Sequence, residues 1–365
     1  MRYAVPREIG SEFHWDPACL GAGGGDWLPP RHELFATGCG ALRTLLRRLR
    51  PGRLHVPSYF CMGVAEALAP DVPIAFYRHL PDDGGPRWAT LHARDGDVVL
   101  AQNLFGRDEG RPWNDWMAAH PRVTVVEDHS HDPLGPWARA SRAPYAIASL
   151  RKTLPVPDGG LLWSPAGRRL PRPDGRPGDG AHLKLAAMLL KSAWLDGRPV
   201  PKDDFRALHQ RGERTLLGSA APATAFTAAM LPLLDADALR RKGIDNARAL
   251  AAEAPVRAGP FRAQLVCSTP AERDAVRASL AAHGIYAPVH WHQDRDRLWS
   301  GDDEAADLAG RMLTVPVDHR CSAADVRRIA AVLLAAPETA APETAAPEGA
   351  AFDRRATPAR PAPTP

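Results

Sequence analysis

Between residues 31 and 165 the chain alternates short apolar runs with helix-like segments, and this alternation restricts the fold more than any other feature. Arg53–Val56, Ile74–Tyr77, Asp97–Ala101, Val123–Asp128 and Tyr145–Ala148 read as strands, and Leu161–Trp163 as one more. Ala41–Leu49, Met62–Leu68 and Trp113–Ala119 read as helices between them. Strands that alternate with helices imply an α/β architecture, a mostly parallel sheet covered on both faces. Such sheets bind ligands beyond the carboxyl ends of their strands. Asp128 and Ser149 fall at two such ends.

The remainder divides by composition. Residues 1–30 form an arm of turn formers and aromatics, and its Gly21–Gly25 run reads as a loop because no strand precedes it. Residues 166–185 are rich in Pro, Gly and Arg and read largely as an exposed loop. His182–Leu195 carries Leu183, Ala186, Ala187, Leu190 and Trp194 on one helical stripe, and Ala223–Ala252 reads as two helices. From Phe261 the pattern becomes strand Ala263–Cys267, helix Ala271–His283, strands Tyr286–Trp291 and Met312–Val315, and helix Ser322–Leu334. That is a small α+β lobe. From about Ala335, Ala-Pro-Glu-Thr-Ala occurs twice before a Pro-, Ala- and Arg-rich end, a composition expected to stay disordered. The expected organisation is an arm (1–30), a large domain (31–255), a small domain (256–334) and a tail (335–365).

With 365 residues, 45% of them hydrophobic, the chain can bury a sizeable core. Its 46 basic and 42 acidic residues are mixed, which argues against a nucleic-acid surface. The five cysteines form no CxxC pair and read as reduced thiols of a cytoplasmic protein. No signal-peptide core or membrane-length apolar run is read, so no membrane partner is expected.

Three sites can carry chemistry. Thr37-Gly38-Cys39-Gly40 opens a helix, where free backbone N–H groups bind phosphate; alone it also fits an ordinary helix start. Asp128 lies in Glu127–Asp132, which also fits a solvated loop. Neighbours on an extended segment point to opposite faces, so the two His and the acids do not converge and no metal is expected. Lys152, three residues after Ser149, precedes Asp158-Gly159-Gly160, whose glycines let backbone approach a ligand. A lysine so held can form a Schiff base with a carbonyl, and Arg151 beside it can bind an anion or face solvent.

Thr37-Gly38-x-x-Ala41-Leu42, Val56-Pro57-Ser58-Tyr59, Phe105-Gly106, Glu127-Asp128, Ser149-x-x-Lys152 and Gly159-Gly160, in this order, resemble the fold type I pyridoxal-phosphate enzymes. Within them the chain is most similar to the DegT/DnrJ/EryC1/StrS aminotransferase family. Pro288-Val289-His290-Trp291 and Leu313–Asp318 are similar to that family's closing segments. The resemblance implies the cofactor pyridoxal 5′-phosphate. It gives Lys152 the cofactor aldehyde and later proton transfer, Asp128 the pyridine nitrogen, and His131 the phenolic oxygen. Ser149 with the amides of Gly38 and Cys39 would hold the phosphate, and Tyr59 would stack on the ring, although the family's aromatic falls nearer Cys61. Asn103, Arg151, His290 and His292 are substrate-facing candidates. The interval from Ser149 to Lys152 is shorter than in the sugar-modifying members. The implied activity is transfer of an amino group from an amino acid, with glutamate as the donor considered, to a ketone such as a keto sugar in specialised or cell-envelope metabolism, by a homodimer. The alternatives are another reaction on the same cofactor (decarboxylation, elimination, aldol cleavage or oxidation) and a catalytically inactive cofactor-binding sensor or partner.

Overall fold

The computed structural model describes residues 8–21, 27–81 and 84–335. Most of the glycine run and the repeats beyond Ala335 lie outside the described residues. After β1 (Ile9–Gly10), the first half of the chain runs β2 (His32–Phe35), α1 (Gly38–Leu49), β3 (Leu54–Pro57), α2 (Met62–Leu68), β4 (Ile74–Tyr77) and β5 (Val98–Gln102). It continues through α3 (Arg111–Ala119), β6 (Thr124–Asp128), α4 (Pro136–Arg139), β7 (Tyr145–Ser149) and β8 (Gly160–Trp163). Seven of these strands form one sheet in the order β2-β8-β7-β6-β5-β3-β4. From β7 to β4 every pairing is parallel, while β8 runs antiparallel to both β7 and β2. The mostly parallel α/β sheet expected from the sequence is therefore present.

Its strands lack polar alternation because both faces are covered. On one face Leu42, Leu45 and Leu46 of α1 pack on Val56, Leu100, Val126 and Ile147. On the other, Trp113 and Trp116 of α3 pack on Val99 and Val125. α1 starts at Gly38, three residues before the expected Ala41, because the Thr37 hydroxyl accepts from the Gly40 N–H at 2.9 Å and caps it.

α5 (Asp179–Leu195) and α6 (Lys202–Leu216) pack against each other. α5 begins inside the stretch read as exposed loop, and α6 is a helix that periodicity did not announce. Among its residues only Phe205, Gly212 and Leu216 are buried, too thin a stripe to stand out. The two helices meet at glycines: a Cβ on Gly180 would lie 2.8 Å from the Gly212 carbonyl oxygen. α7 (Ala225–Met230) and α8 (Ala236–Glu253) are the two helices expected over 223–252.

The last third comprises β9 (Arg257–Ala258), β10 (Arg262–Val266), α9 (Pro270–Ala282), β11 (Ile285–Tyr286), α10 (Asp303–Arg311), β12 (Met312–Pro316) and α11 (Ala323–Ala335). β9, β10 and β12 make an antiparallel sheet, with Leu250 of α8, Leu280 of α9 and Ile329 of α11 in its core. The expected strand Tyr286–Trp291 is a correction: only Ile285–Tyr286 is strand, and it pairs parallel with β1. Pro288 has no N–H to give to a ladder, and the chain leaves the sheet there. Among the described residues no helix is long and apolar enough to cross a membrane.

Candidate active site

Three elements of the large sheet converge at its carboxyl edge. Asp128 ends β6 and, two residues from Val126, points to the face covered by α1. Its Oδ1 accepts from the Ser130 N–H at 2.9 Å, which fixes the carboxylate. The Ser130 hydroxyl accepts from the Ser149 N–H at 2.9 Å and so joins the ends of β6 and β7. Across from Ser149 lies Gly38, where a Cβ would stand 3.2 Å from the Ser149 Cβ. Gly38 and Cys39 occupy the first turn of α1, whose N–H groups have no intrahelical acceptor. Burial pushes the Cys39 thiol up to about 11, so it stays protonated at neutral pH. The resulting cradle is small and rich in donors.

Lys152 ends a short 3-10 turn, Leu150–Lys152, directly after β7. This turn is braced from behind. The Leu150 N–H donates to the Gly159 carbonyl at 2.9 Å, and the buried Asp158 accepts from the Thr224 N–H at 2.8 Å and from the hydroxyls of Thr224 and Thr227. Asp158-Gly159-Gly160 thus acts as an anchor for the lysine turn. Gly160 lies so close to Thr37 that a Cβ there would sit 2.1 Å from the Thr37 carbonyl carbon.

His131 has a defined protonation state. Its Nδ1 accepts from the Phe105 N–H at 2.8 Å, so the ring proton sits on Nε2. Burial, reinforced by Arg262 and Lys152, holds the imidazole well below its usual pKa, hence neutral. Nε2–H is a buried donor with no partner among the described residues. The ring lies near-parallel to Phe105 (5.2 Å, 13°) and Trp291 (5.4 Å, 14°). Lys152 Nζ stands 5.8 Å from the centre of the Trp291 ring.

A cavity of about 710 Å³ opens beside these groups, lined by Lys152, His131, Arg151, His290 and Arg262 among others. Residues Glu8 to Phe13 close one side of it. Asp128, Ser149, Gly38 and Cys39 lie outside its lining.

The other candidates take different places. Arg151 reaches the cavity with its guanidinium paired to Glu213 (Nη2–Oε1 2.6 Å). Burial acts to raise the Glu213 pKa, but Arg151 and Lys184 outweigh it and hold it at about 2. His290 lines the cavity, its Nδ1 2.9 Å from the Thr314 hydroxyl, and burial pushes its pKa to about 3. His292 is exposed and outside the cavity lining. Asn103 is also outside the cavity lining. Buried to 2% exposure, it holds the backbone: its N–H donates to the Asp128 carbonyl at 2.9 Å and its Oδ1 accepts from the Asp108 N–H at 3.2 Å. Tyr59, read as the stacking residue, is 1% exposed and outside the cavity lining, its hydroxyl donating to the His290 carbonyl. It packs against Phe105 and Trp291 and so backs the aromatic wall. Trp291 and Arg262 were not picked out as site residues from sequence. Arg262 carries no motif, and a single arginine at the start of an apolar strand is its only signal. Among the described residues no cluster of three or more His, Cys, Asp or Glu is placed to hold a metal.

No protein-family model matches the chain, and a search of curated proteins finds no match. Solved structures do match it. The chain is similar to PseC of Helicobacter pylori, an aminotransferase involved in the biosynthesis of pseudoaminic acid, at 14% identity over 90% of this chain and 98% of that one, with a TM-score of 0.56. It is similar to the sugar aminotransferase CalS13 of Micromonospora echinospora at 14% identity over 90% and 99% of the two chains, TM-score 0.53. A DegT DnrJ EryC1 StrS aminotransferase from Brucella abortus gives 18% identity over 83% and 85%, TM-score 0.51. At these identities the likeness establishes the fold, which is the fold type I architecture of these aminotransferases. What the chain does with that fold rests on its own side chains.

Proposed function

We propose that this protein is a pyridoxal-phosphate-dependent aminotransferase of the DegT/DnrJ/EryC1/StrS type. The observation that carries the reading is the neutral His131, whose buried Nε2–H lacks an acceptor beside Lys152. An orphaned buried donor costs about 1–3 kcal/mol, and an anionic phenolic oxygen would satisfy it. The other residues fit the same cofactor. Gly38, the first-turn amides of α1 and Ser149 would hold its phosphate, Asp128 its ring nitrogen and Lys152 its aldehyde. Bound there, the cofactor supplies an electron sink for charge developing at the α-carbon of an amino acid. Asp128, fixed by Ser130, would hold a proton on the ring nitrogen. Lys152 carries a proton to and from that carbon, and Trp291 covers it from the small-lobe side. We propose an amino acid such as glutamate as donor and a keto sugar as acceptor, the latter supported by the sugar aminotransferases among the structural neighbours. We further propose a cytoplasmic homodimer, with a large domain at 31–255 and a small one at 256–334.

The test is spectroscopic. Wild-type protein given the cofactor should acquire a visible absorbance band that an amino donor bleaches, and Lys152→Ala should lack the band. A wild type that takes up no cofactor ends the proposal. A band that survives full turnover of an amino acid shifts the reading to a non-transaminating reaction on the same cofactor. Sizing chromatography at micromolar concentration tests the dimer.

A further inference from the structure

One side of the cavity is a crossing length of chain that no hydrophobic core holds. Glu8, Gly10, Ser11, Glu12 and Phe13 line that side. At one end Ile9 packs in the core of Leu280 and Leu313 and pairs with Ile285. At the other, Cys19 packs with Leu161 and Trp163 of β8. Residues 10–15 therefore bridge the last third of the molecule and the large sheet, moored on both sides. Among the described residues none of 10–15 belongs to a hydrophobic core. Polar bonds hold the crossing instead. The Glu12 carbonyl accepts from Lys191 Nζ of α5 at 2.7 Å and from Arg320 Nη1, in the loop after β12, at 3.0 Å. The same face of α5 takes Trp15: its N–H donates to the Met188 carbonyl at 3.2 Å, and its carbonyl accepts from the Ser192 hydroxyl at 2.8 Å. Each cation is steadied by a carboxylate. Lys191 meets Glu8 at 2.8 Å, with both side chains 3% exposed, and Arg320 meets Asp318 (Nη2–Oδ2 2.7 Å). The stretch so held is strained. Gly10 and Ser11 have φ of 80° and 61°, and left-handed backbone is unfavourable for a serine. Fixed ends, a strained middle and a few polar bonds make an element with two positions, bound across the cavity or released from it.

We infer that residues 10–15 are a gate that sets the size of ligand able to reach Lys152, with Lys191 as its latch. Small ligands enter the cavity of about 710 Å³ with the gate in place, and larger ones require Lys191 to release the Glu12 carbonyl. The purpose of the gate rests on the aminotransferase reading. Two substrates take turns at one lysine, and a detachable side lets a single cavity enclose both. The latch itself is built only from this chain's own residues.

Two measurements on the cofactor-free protein test it. In hydrogen–deuterium exchange the Trp15 amide should be protected in the wild type and exchange about 10-fold faster or more in Lys191→Met, with the amides of β6 unchanged. An unprotected Trp15 amide in the wild type, or equal exchange in the two proteins, overturns the gate. Should β6 loosen as well, Glu8→Gln is read in its place. It keeps every lysine and removes the charge that steadies Lys191, and it too must speed Trp15 without β6. The second measurement labels Lys152 with a small reagent, formaldehyde with cyanoborohydride, and with a bulky one, a fluorescein succinimidyl ester, read by mass spectrometry. Lys191→Met should raise the bulky label at Lys152 about 10-fold and leave unchanged the small label there and both labels at the exposed Lys242. Equal rises in both labels at Lys152 make Lys191 a structural brace and overturn the size gate, as does no rise in either. Failure of the aminotransferase reading is separately visible, as a missing band once cofactor is added, and leaves the exchange and labelling results to decide the gate.

Discussion

The cradle at the edge of the large sheet and the wall of the cavity beside it flank the same lysine, yet they are made of opposite materials. The cradle consists of backbone and of residues with little or no side chain: Gly38, Gly40, Ser149 and Gly160. Its spacings are set by main-chain contact, so it is rigid and intolerant of added atoms. The wall consists of long or ring side chains, Arg262, His290 and Arg151, each held by a polar partner. A fixed cofactor suits the first, and ligands that come and go suit the second. The difference teaches that position is held by packing and charge by long side chains.

Substitutions can break this contrast. The largest effect should come from Gly160→Ala, whose Cβ would overlap the Thr37 main chain at 2.1 Å. We expect a loss of about 4 kcal/mol or more, read by chemical denaturation. A near-neutral result would show that the cradle yields. Next, Asp158→Ala strips the acceptor from the Thr224 N–H and from two buried threonine hydroxyls. It should cost about 3 kcal/mol and loosen the lysine turn, so that protease susceptibility near Lys152 rises. An unchanged unfolding midpoint would remove Asp158 as the anchor.

The smallest effect belongs to the wall and depends on pH. The pKa of His290 is depressed from 6.5 to about 3, so the unfolded chain takes up its proton first. Stability linked to this residue is complete above pH 6.5 and declines as the pH falls toward 3. The decline is about 2 kcal/mol at pH 5. His290→Gln should remove that part of the acid sensitivity and leave the midpoint at pH 8 almost unchanged. Identical acid slopes in the two proteins would place the sensitivity elsewhere.

The same contrast governs how much could be read from the chain. Met62–Leu68 and Ile74–Tyr77 appear as expected, because apolar runs bounded by turn formers leave few alternatives. The grouping of Lys152, Asp128 and Ser149 at neighbouring strand ends was legible too, since sheet geometry places strand ends together. α6 escaped because its contact with α5 is made by glycine backbone, which leaves no periodic signal. Tyr286–Trp291 was expected as strand, but of these only Tyr286 is, and the chain leaves the ladder at Pro288. Arg262 was invisible for a different reason. Its bond to the Lys152 carbonyl joins residues far apart in the chain, and no local pattern announces such a contact.

One pairing sets a timetable for synthesis. Ile9 and Gly10 lie in register with Ile285 and Tyr286, and the residues just after them close the cavity. A ribosome adding about 5–20 residues per second needs roughly tens of seconds to travel from one partner to the other. Through that interval the leading segment waits without its mate while the seven-stranded sheet can already assemble. The pocket is thus sealed late, by a segment made long before its mate.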